Sequence, residues 1–250
     1  MIRHLIEQLT RIQRELGRRD ITFEYLLFLR SDVFDQLIEE TSDRGKYNPI
    51  KIDWSDAEQL EHLIRMRVVS NVSAAEADSA WAAVNPRMKN GKTAVAEMIE
   101  SSLMRPRFLI DLCENALSFA INRGHEAVQE NDIEDALEKH SVYLVSYFGF
   151  EVRDLSGISE QIFYQFLGEG DTLTEDEVSK IIARVNPPMP VSKVIHLLLW
   201  YGFLGIPDEQ GQPIYIYDRN YDMRRIDAER NRQGEENLLY VINPAFLRGL

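Results

Sequence analysis

A chain of 250 residues, 44% hydrophobic and 28% charged, has room for two compact domains and the composition of an ordinary globular protein. One cysteine, Cys113, excludes a disulfide framework and fits a reducing cytoplasm, and no run of about 18 apolar residues offers a membrane span. The formal net charge of −13 is shared by both halves, so each repels a polyanion and only a local basic patch would suit nucleic acid.

Ile2, Leu5, Ile6, Leu9, Ile12 and Leu16 recur at helical spacing, which predicts an amphipathic helix over 2–16 that stops at Gly17. Ile21 to Leu29 is a nearly unbroken apolar run of strand length. Such a strand is usually covered on both faces, as in a parallel sheet. Ser31 or Asp32 can cap a following helix, and Ile50-Lys51-Ile52-Asp53 reads as a second short strand, so the first part looks like a fragment of an open α/β sheet. From Ser55 the pattern is helical. Ser55-Asp56-Ala57-Glu58 resembles a capping box, and helices follow at about 73–83, 93–103, 106–122 and 131–147. Gly149 to Gly157 is the expected linker. Beyond it, stripes at 158–167, after Thr174 and over 191–200, then a hairpin of Phe203–Ile206 with Ile214–Tyr217 and a last strand at 239–242, follow the order of a winged helix.

Gly91-Lys92-Thr93 superficially suggests a phosphate loop. That motif needs a glycine five residues earlier and a buried strand before it, whereas this chain has Pro86 after an alanine-rich helix, so a surface turn with Thr93 as helix cap is the reading adopted. Arg105 and Arg107 flank Pro106 at the start of the 106–122 helix. Cations at the positive end of a helix dipole are disfavoured by about 0.3 to 1 kcal/mol each. Their placement therefore suits either an anionic partner or a salt bridge to Glu100, Asp111 or a carboxylate of the first domain. The five histidines share no face with further ligands at metal spacing, so no metal site and no histidine-based catalysis is expected. The 191–200 helix offers Ser192, Lys193 and His196 as candidate nucleic-acid contacts but is otherwise apolar. The turn Pro207 to Gln212 is acidic, and the arginines at 219, 224, 225, 230 and 232 are interleaved with carboxylates, which favours a protein-docking face over a DNA reader.

Leu29-Arg30-Ser31-Asp32, Asp43-Arg44-Gly45-Lys46, Ile50-Lys51-Ile52-Asp53-Trp54, Leu60-Glu61-His62-Leu63, Met104-Arg105-Pro106-Arg107 and Asn122-Arg123-Gly124-His125 occur in an order that resembles the C-terminal portion of bacterial AAA/STAND (KAP-like) P-loop ATPases. The order is also similar to that of initiator and origin-recognition ATPases, in which a helical lid precedes a winged helix. The resemblance implies a mainly α fold with small α/β and winged-helix parts: a partial ATPase core at 1–54, a lid at 55–148 and a winged-helix domain at 157–250. It places a first sensor at Arg30 or Ser31, a second at Arg107 with Arg105 beside it, and a trans-acting arginine at Arg44. The chain contains neither the phosphate loop nor the acidic magnesium strand of that family. ATP and Mg are accordingly expected only together with a P-loop partner segment, and no catalytic residue is assigned to this chain. The function implied is regulatory: nucleotide sensing in the cytoplasm, coupled to assembly as a homo-oligomer or to a protein partner. The alternative is a winged-helix DNA-binding protein whose helical region dimerises.

Overall fold

The computed structural model describes residues 2–29, 50, 52, 54–234 and 238–250. They divide into two units, Met1–Ile52 and Asp53–Leu250.

In the first unit, helix α1 (Ile2–Gly17) has the predicted amphipathic pattern, with an Arg11–Glu15 pair at 2.9 Å on its wet face. The amide of Ile21 returns to the Leu16 carbonyl at 3.1 Å and ends the helix. Residues 21–29 then depart from expectation. They form no strand, and their side chains alternate: Phe23, Tyr25, Leu27 and Leu29 are half-buried, while Leu26 and Phe28 are 78% and 74% exposed. Only one face of the segment is covered. Gln13 Nε2 donates to the Phe23 carbonyl and the Thr10 and Tyr25 hydroxyls lie 3.0 Å apart. Ile50 and Ile52 are exposed and belong to no strand either. Apolarity alone does not make a strand, because strand identity comes from ladder pairing.

The second unit starts with a helical bundle: α2 (Ala57–Val69), α3 (Ala77–Val84), α4 (Ala94–Ser101), α5 (Pro106–Asn122) and α6 (Glu130–Ser156). Asp56 caps α2 by accepting from the Glu58 amide at 2.9 Å. Thr93 caps α4, and Lys92 bonds Glu100 at 2.6 Å, so Gly91-Lys92-Thr93 is a surface turn and a helix start. Helix α6 begins with a capping box between Gln129 and Asp132 and runs 27 residues. The expected linker over 149–157 is therefore mostly the end of this helix. Gly149 lies inside it because any Cβ there would meet the Glu160 carbonyl at 2.7 Å, where the next element crosses.

That element is a 3₁₀ helix, Glu160–Phe166, followed by β1 (Thr172–Thr174), α7 (Glu175–Ala183) and α8 (Val191–Trp200). Then come β2 (Leu204–Pro207), β3 (Pro213–Ile214), a 3₁₀ turn Ile216–Arg219, α9 (Met223–Gln233), β4 (Leu239–Ile242) and α10 (Pro244–Leu247). Thr174 and Glu177 close a reciprocal capping box at α7. The sheet is antiparallel in the order β1-β4-β2-β3, with Leu173 opposite Tyr240, Leu204 opposite Ile242 and Ile206 opposite Ile214. The chain is thus mainly helical with a small antiparallel sheet. Among the described residues no helix is long and apolar enough to cross a membrane.

Two cores are buried in this unit, and α6 contributes to both. Ile133, Ala136 and Leu137 pack with the aliphatic side chains of α2, α4 and α5, whereas Leu144, Val145, Phe148 and Val152 enter an aromatic core with Phe163, Phe166, Phe203 and Phe246. Met104 packs against both. The C-terminus returns to α6: Gly249 lies so close to Ser141 that a Cβ would stand 2.5 Å from its backbone.

Candidate functional site

The start of α5 is held in an unusual way. Ser102, fully buried, donates its hydroxyl to the Ile99 carbonyl at 2.7 Å and ends α4. Leu103 and Met104 then both adopt left-handed backbone, with φ of 53° and 55°, before Arg105 and Pro106 begin the next helix. Residues without glycine's freedom pay about 1 to 3 kcal/mol each for that region, so the surroundings must enforce it. The partner is a second left-handed pair, Asn220 and Tyr221, with φ of 53° and 57°. The Tyr221 hydroxyl donates to the Leu103 carbonyl at 3.2 Å and accepts from Arg105 Nε at 3.2 Å.

Arg105 is thereby fixed. Its guanidinium lies 5.3 Å from the Phe108 ring, 5.1 Å from Phe148 and 5.7 Å from Tyr221, a cation among three aromatic faces. Phe108 and Phe148 belong to the aromatic core, and Tyr221 packs against it. The beginning of α5 is thus joined to the C-terminal helix-and-sheet region by Arg105, by the Tyr221–Leu103 hydrogen bond and by Phe108 in the shared aromatic core. Nearby, Tyr147 donates to Glu151 at 2.8 Å; burial, and then that carboxylate, push the Tyr147 hydroxyl above its ordinary pKa.

Arg107, one helical step on, behaves in the opposite way. It is exposed and forms no ion pair or hydrogen bond among the described residues. Of the carboxylates proposed for it, Glu100 is bound to Lys92, and Asp111 pairs with no cation among the described residues. The N-cap of α5 has no side-chain hydrogen bond and its first turn has no acidic residue, so no carboxylate of that turn offsets the positive end of the helix dipole beside the Arg107 guanidinium. The two arginines that look equivalent in the sequence therefore part: Arg105 is held by Tyr221 and three rings, while Arg107 is exposed without a partner among the described residues.

At the far end of α5 a buried carboxylate organises the turn to α6. Asp132, with no exposed surface, accepts from Arg123 at 2.8 Å, the Gln129 amide at 2.9 Å and His125 at 2.7 Å. Burial raises its pKa, but the Gln129 amide, His125 and Arg123 outweigh that and leave it below the ordinary carboxylate value. Arg123 also binds Asp135. Asn122-Arg123-Gly124-His125 is thus a structural knot.

Residues 58–149 match a family model described as the FunZ-associated C-terminal helical domain. The match runs from Glu58 in α2 through α5 and into α6 as far as Gly149, so the matched residues include both arginines and the Asp132 knot. No curated protein and no solved structure matches the chain.

Of the other residues singled out from sequence, Arg30, Ser31 and Arg44 lie outside the described residues. Lys193 and His196 are exposed on the outer face of α8, whose inner face buries Val194, Ile195, Leu198 and Leu199. The arginine strip is neutralised locally: Arg219 and Arg232 pair with Glu229, Arg225 with Asp222, and Arg230 with Asp227 and Glu175. In the acidic turn, Asp208 Oδ1 accepts from the amides of Gln210 and Gln212. Among the described residues no group of three or more His, Cys, Asp or Glu is placed to hold a metal ion. Cys113 packs beside the Met98 sulfur at 3.9 Å, and burial pushes its thiol up to about 12, which makes it unreactive. Tyr221 was missed in the sequence. Its only signal is the preceding Asn220, a residue that tolerates left-handed backbone.

Proposed function

We propose that this chain is the regulatory part of a P-loop ATPase of the AAA/STAND kind, reading a nucleotide phosphate at Arg107 and passing that state to a C-terminal winged-helix module. The observation that carries the reading is the unpaired, exposed Arg107 in the first turn of α5, two residues from an Arg105 fixed to Tyr221. A phosphate drawn to Arg107 and the α5 amides would pull on the same turn that holds Tyr221. The element order β1-α7-α8-β2-β4, with β4 paired to both β1 and β2, supports a winged helix whose wing is enlarged by β3 and α9. The name of the matched family, a C-terminal helical domain associated with FunZ, is consistent with a helical part that works beside another segment.

ATP and Mg would be held by the P-loop partner, to which Arg107 adds a cation for the terminal phosphates; among the described residues no group of three or more His, Cys, Asp or Glu is placed to hold the metal. Winged-helix contact with a protein is favoured over DNA. Helix α8 presents little beyond Ser192, Lys193 and His196, and the arginines of the wing are paired with carboxylates. The DNA-binding alternative predicts a sequence-specific complex that persists at physiological salt.

The deciding experiment uses the chain together with its P-loop segment. Arg107→Ala should lower ATP hydrolysis or nucleotide-dependent assembly while leaving the melting temperature of this chain nearly unchanged. A lowered melting temperature with normal activity per folded molecule would refute the sensor reading.

A further inference from the structure

The segment Ile216–Tyr221 touches two distant parts of the second unit. Near its first end, Tyr217 is buried and lies against Gly202, which sits just past α8 with left-handed backbone (φ 71°). Asn243, 2% exposed, donates from Nδ2 to the Gly202 carbonyl at 2.9 Å and to the Tyr217 hydroxyl at 3.1 Å, and its Oδ1 accepts from the Ala245 amide at 3.0 Å. At the other end, Tyr221 meets Trp200, the last residue of α8, edge to face and reaches the start of α5 through one hydroxyl.

The two ends differ in how firmly they hold. Opening the Asn243 end would strand buried polar groups away from water. The Tyr221 end is half-buried, and its two hydrogen bonds, to the Leu103 carbonyl and from Arg105 Nε, are both 3.2 Å long and share a single oxygen. Strain works against this contact. Tyr221 has left-handed backbone (φ 57°), which a tyrosine adopts only under constraint, whereas Asn220 before it tolerates that region and Gly202 at the first end adopts it freely. Release of the hydroxyl would let Tyr221 relax. Strain and bonding thus oppose each other at the α5 end and not at the α8 end, which is the balance of a two-state element.

We propose that Ile216–Tyr221 is a coupling arm, fixed to the end of α8 and releasably clasped to the start of α5, which opens and closes at the Tyr221 hydroxyl while both cores stay folded. Closed, it makes the start of α5 and Trp200 move together; open, it frees them. This is a property of the chain by itself, so it stands or falls separately from what Arg107 reads.

The test is native-state amide exchange on the full chain, wild type against Arg105→Lys, which keeps a cation among the rings and loses the Nε donor. The amides of Tyr221 and Asp222, bonded to the Ile216 and Arg219 carbonyls, should exchange through an opening well short of global unfolding, and about fivefold faster in the variant, the worth of one hydrogen bond. The Asn243 amide, bonded to the Phe203 carbonyl, should exchange only with global unfolding in both proteins. With Trp54 and Trp81 replaced by Phe, the emission of Trp200 should shift in Arg105→Lys, because the Tyr221 ring touches both side chains. If Arg105→Lys lowers the melting temperature, Tyr221→Phe takes its place with the same expectations. Exchange of Tyr221 only with global unfolding, equal acceleration at Tyr221 and Asn243, or an unmoved Trp200 emission would each overturn the proposal.

Discussion

The core beneath α2, α4 and α5 is made of aliphatic and small side chains, Leu60, Ile64, Ala94, Leu109, Ala116, Ala136 and their neighbours, with no fully buried aromatic residue in the cluster. The core on the other side of α6 is dominated by rings: Phe148, Phe163, Phe166, Phe203, Tyr240 and Phe246 are all fully buried. The first fills space by close approach of helices and relies on the Asp132 knot to fix its long turn. The second relies on ring-to-ring contacts such as Phe163 to Phe203 at 4.9 Å and Phe203 to Phe246 at 5.2 Å. One helix serves two kinds of packing, and each kind fails in its own way: one by loss of charge, the other by loss of volume.

The largest effect should therefore come from a ring. Phe163→Ala leaves a cavity bounded by Phe203 and Phe246 and should cost about 3 to 5 kcal/mol by urea unfolding, independent of pH. A loss under 1 kcal/mol would mean that the aromatic core closes over the gap and that the contrast is false.

Asp132→Asn should cost about 2 to 3 kcal/mol at neutral pH, because Arg123 and His125 lose their shared carboxylate. Here the cost depends on pH. The folded carboxyl has a pKa below its unfolded value, so its contribution is complete above the ordinary carboxylate range and is lost as pH falls through the folded value. The wild-type and variant stability curves should converge at the acidic end. Parallel curves down to that pH would show that the carboxylate charge is not what pins the turn.

Much of this was legible in the chain itself. The 3.6-residue period located the helices, Pro106 set the start of α5, and Thr174-Glu175-Asp176-Glu177 marked the start of α7, because helix signals are local. Non-local facts were not legible. Residues 21–29 carry strand-like apolarity without a strand, β1 is three residues whose identity comes from pairing with β4, and the 149–157 segment looks like a linker only until Gly149 is seen to admit the Glu160 carbonyl. At the candidate site, the Arg105-Pro106-Arg107 stretch was legible as a helix start, but the difference between its two arginines depends on Tyr221, 116 residues away from Arg105.

A smaller effect sharpens the contrast at the seam between the cores. Tyr221→Phe keeps the ring against Arg105 and Trp200 but removes the hydroxyl that serves the Leu103 carbonyl and Arg105 Nε, and should cost about 1 kcal/mol. Amide exchange at the start of α5 should quicken in this variant. Unchanged exchange there would show that the left-handed pair at Leu103 and Met104 is held by something other than Tyr221.

The account rests on α6 joining both cores into one body, and the three tryptophans allow a direct test. Trp54 and Trp81 pack on the aliphatic core and Trp200 on the aromatic one. In a variant with Trp54→Phe and Trp81→Phe, only Trp200 fluoresces; in Trp200→Phe, only the other two do. In each variant, the urea midpoint from fluorescence should coincide with that from helical circular dichroism, as for a single cooperative transition. Fluorescence midpoints displaced from the dichroism midpoint, in opposite directions in the two variants, would mean that the cores unfold separately and that α6 does not couple them.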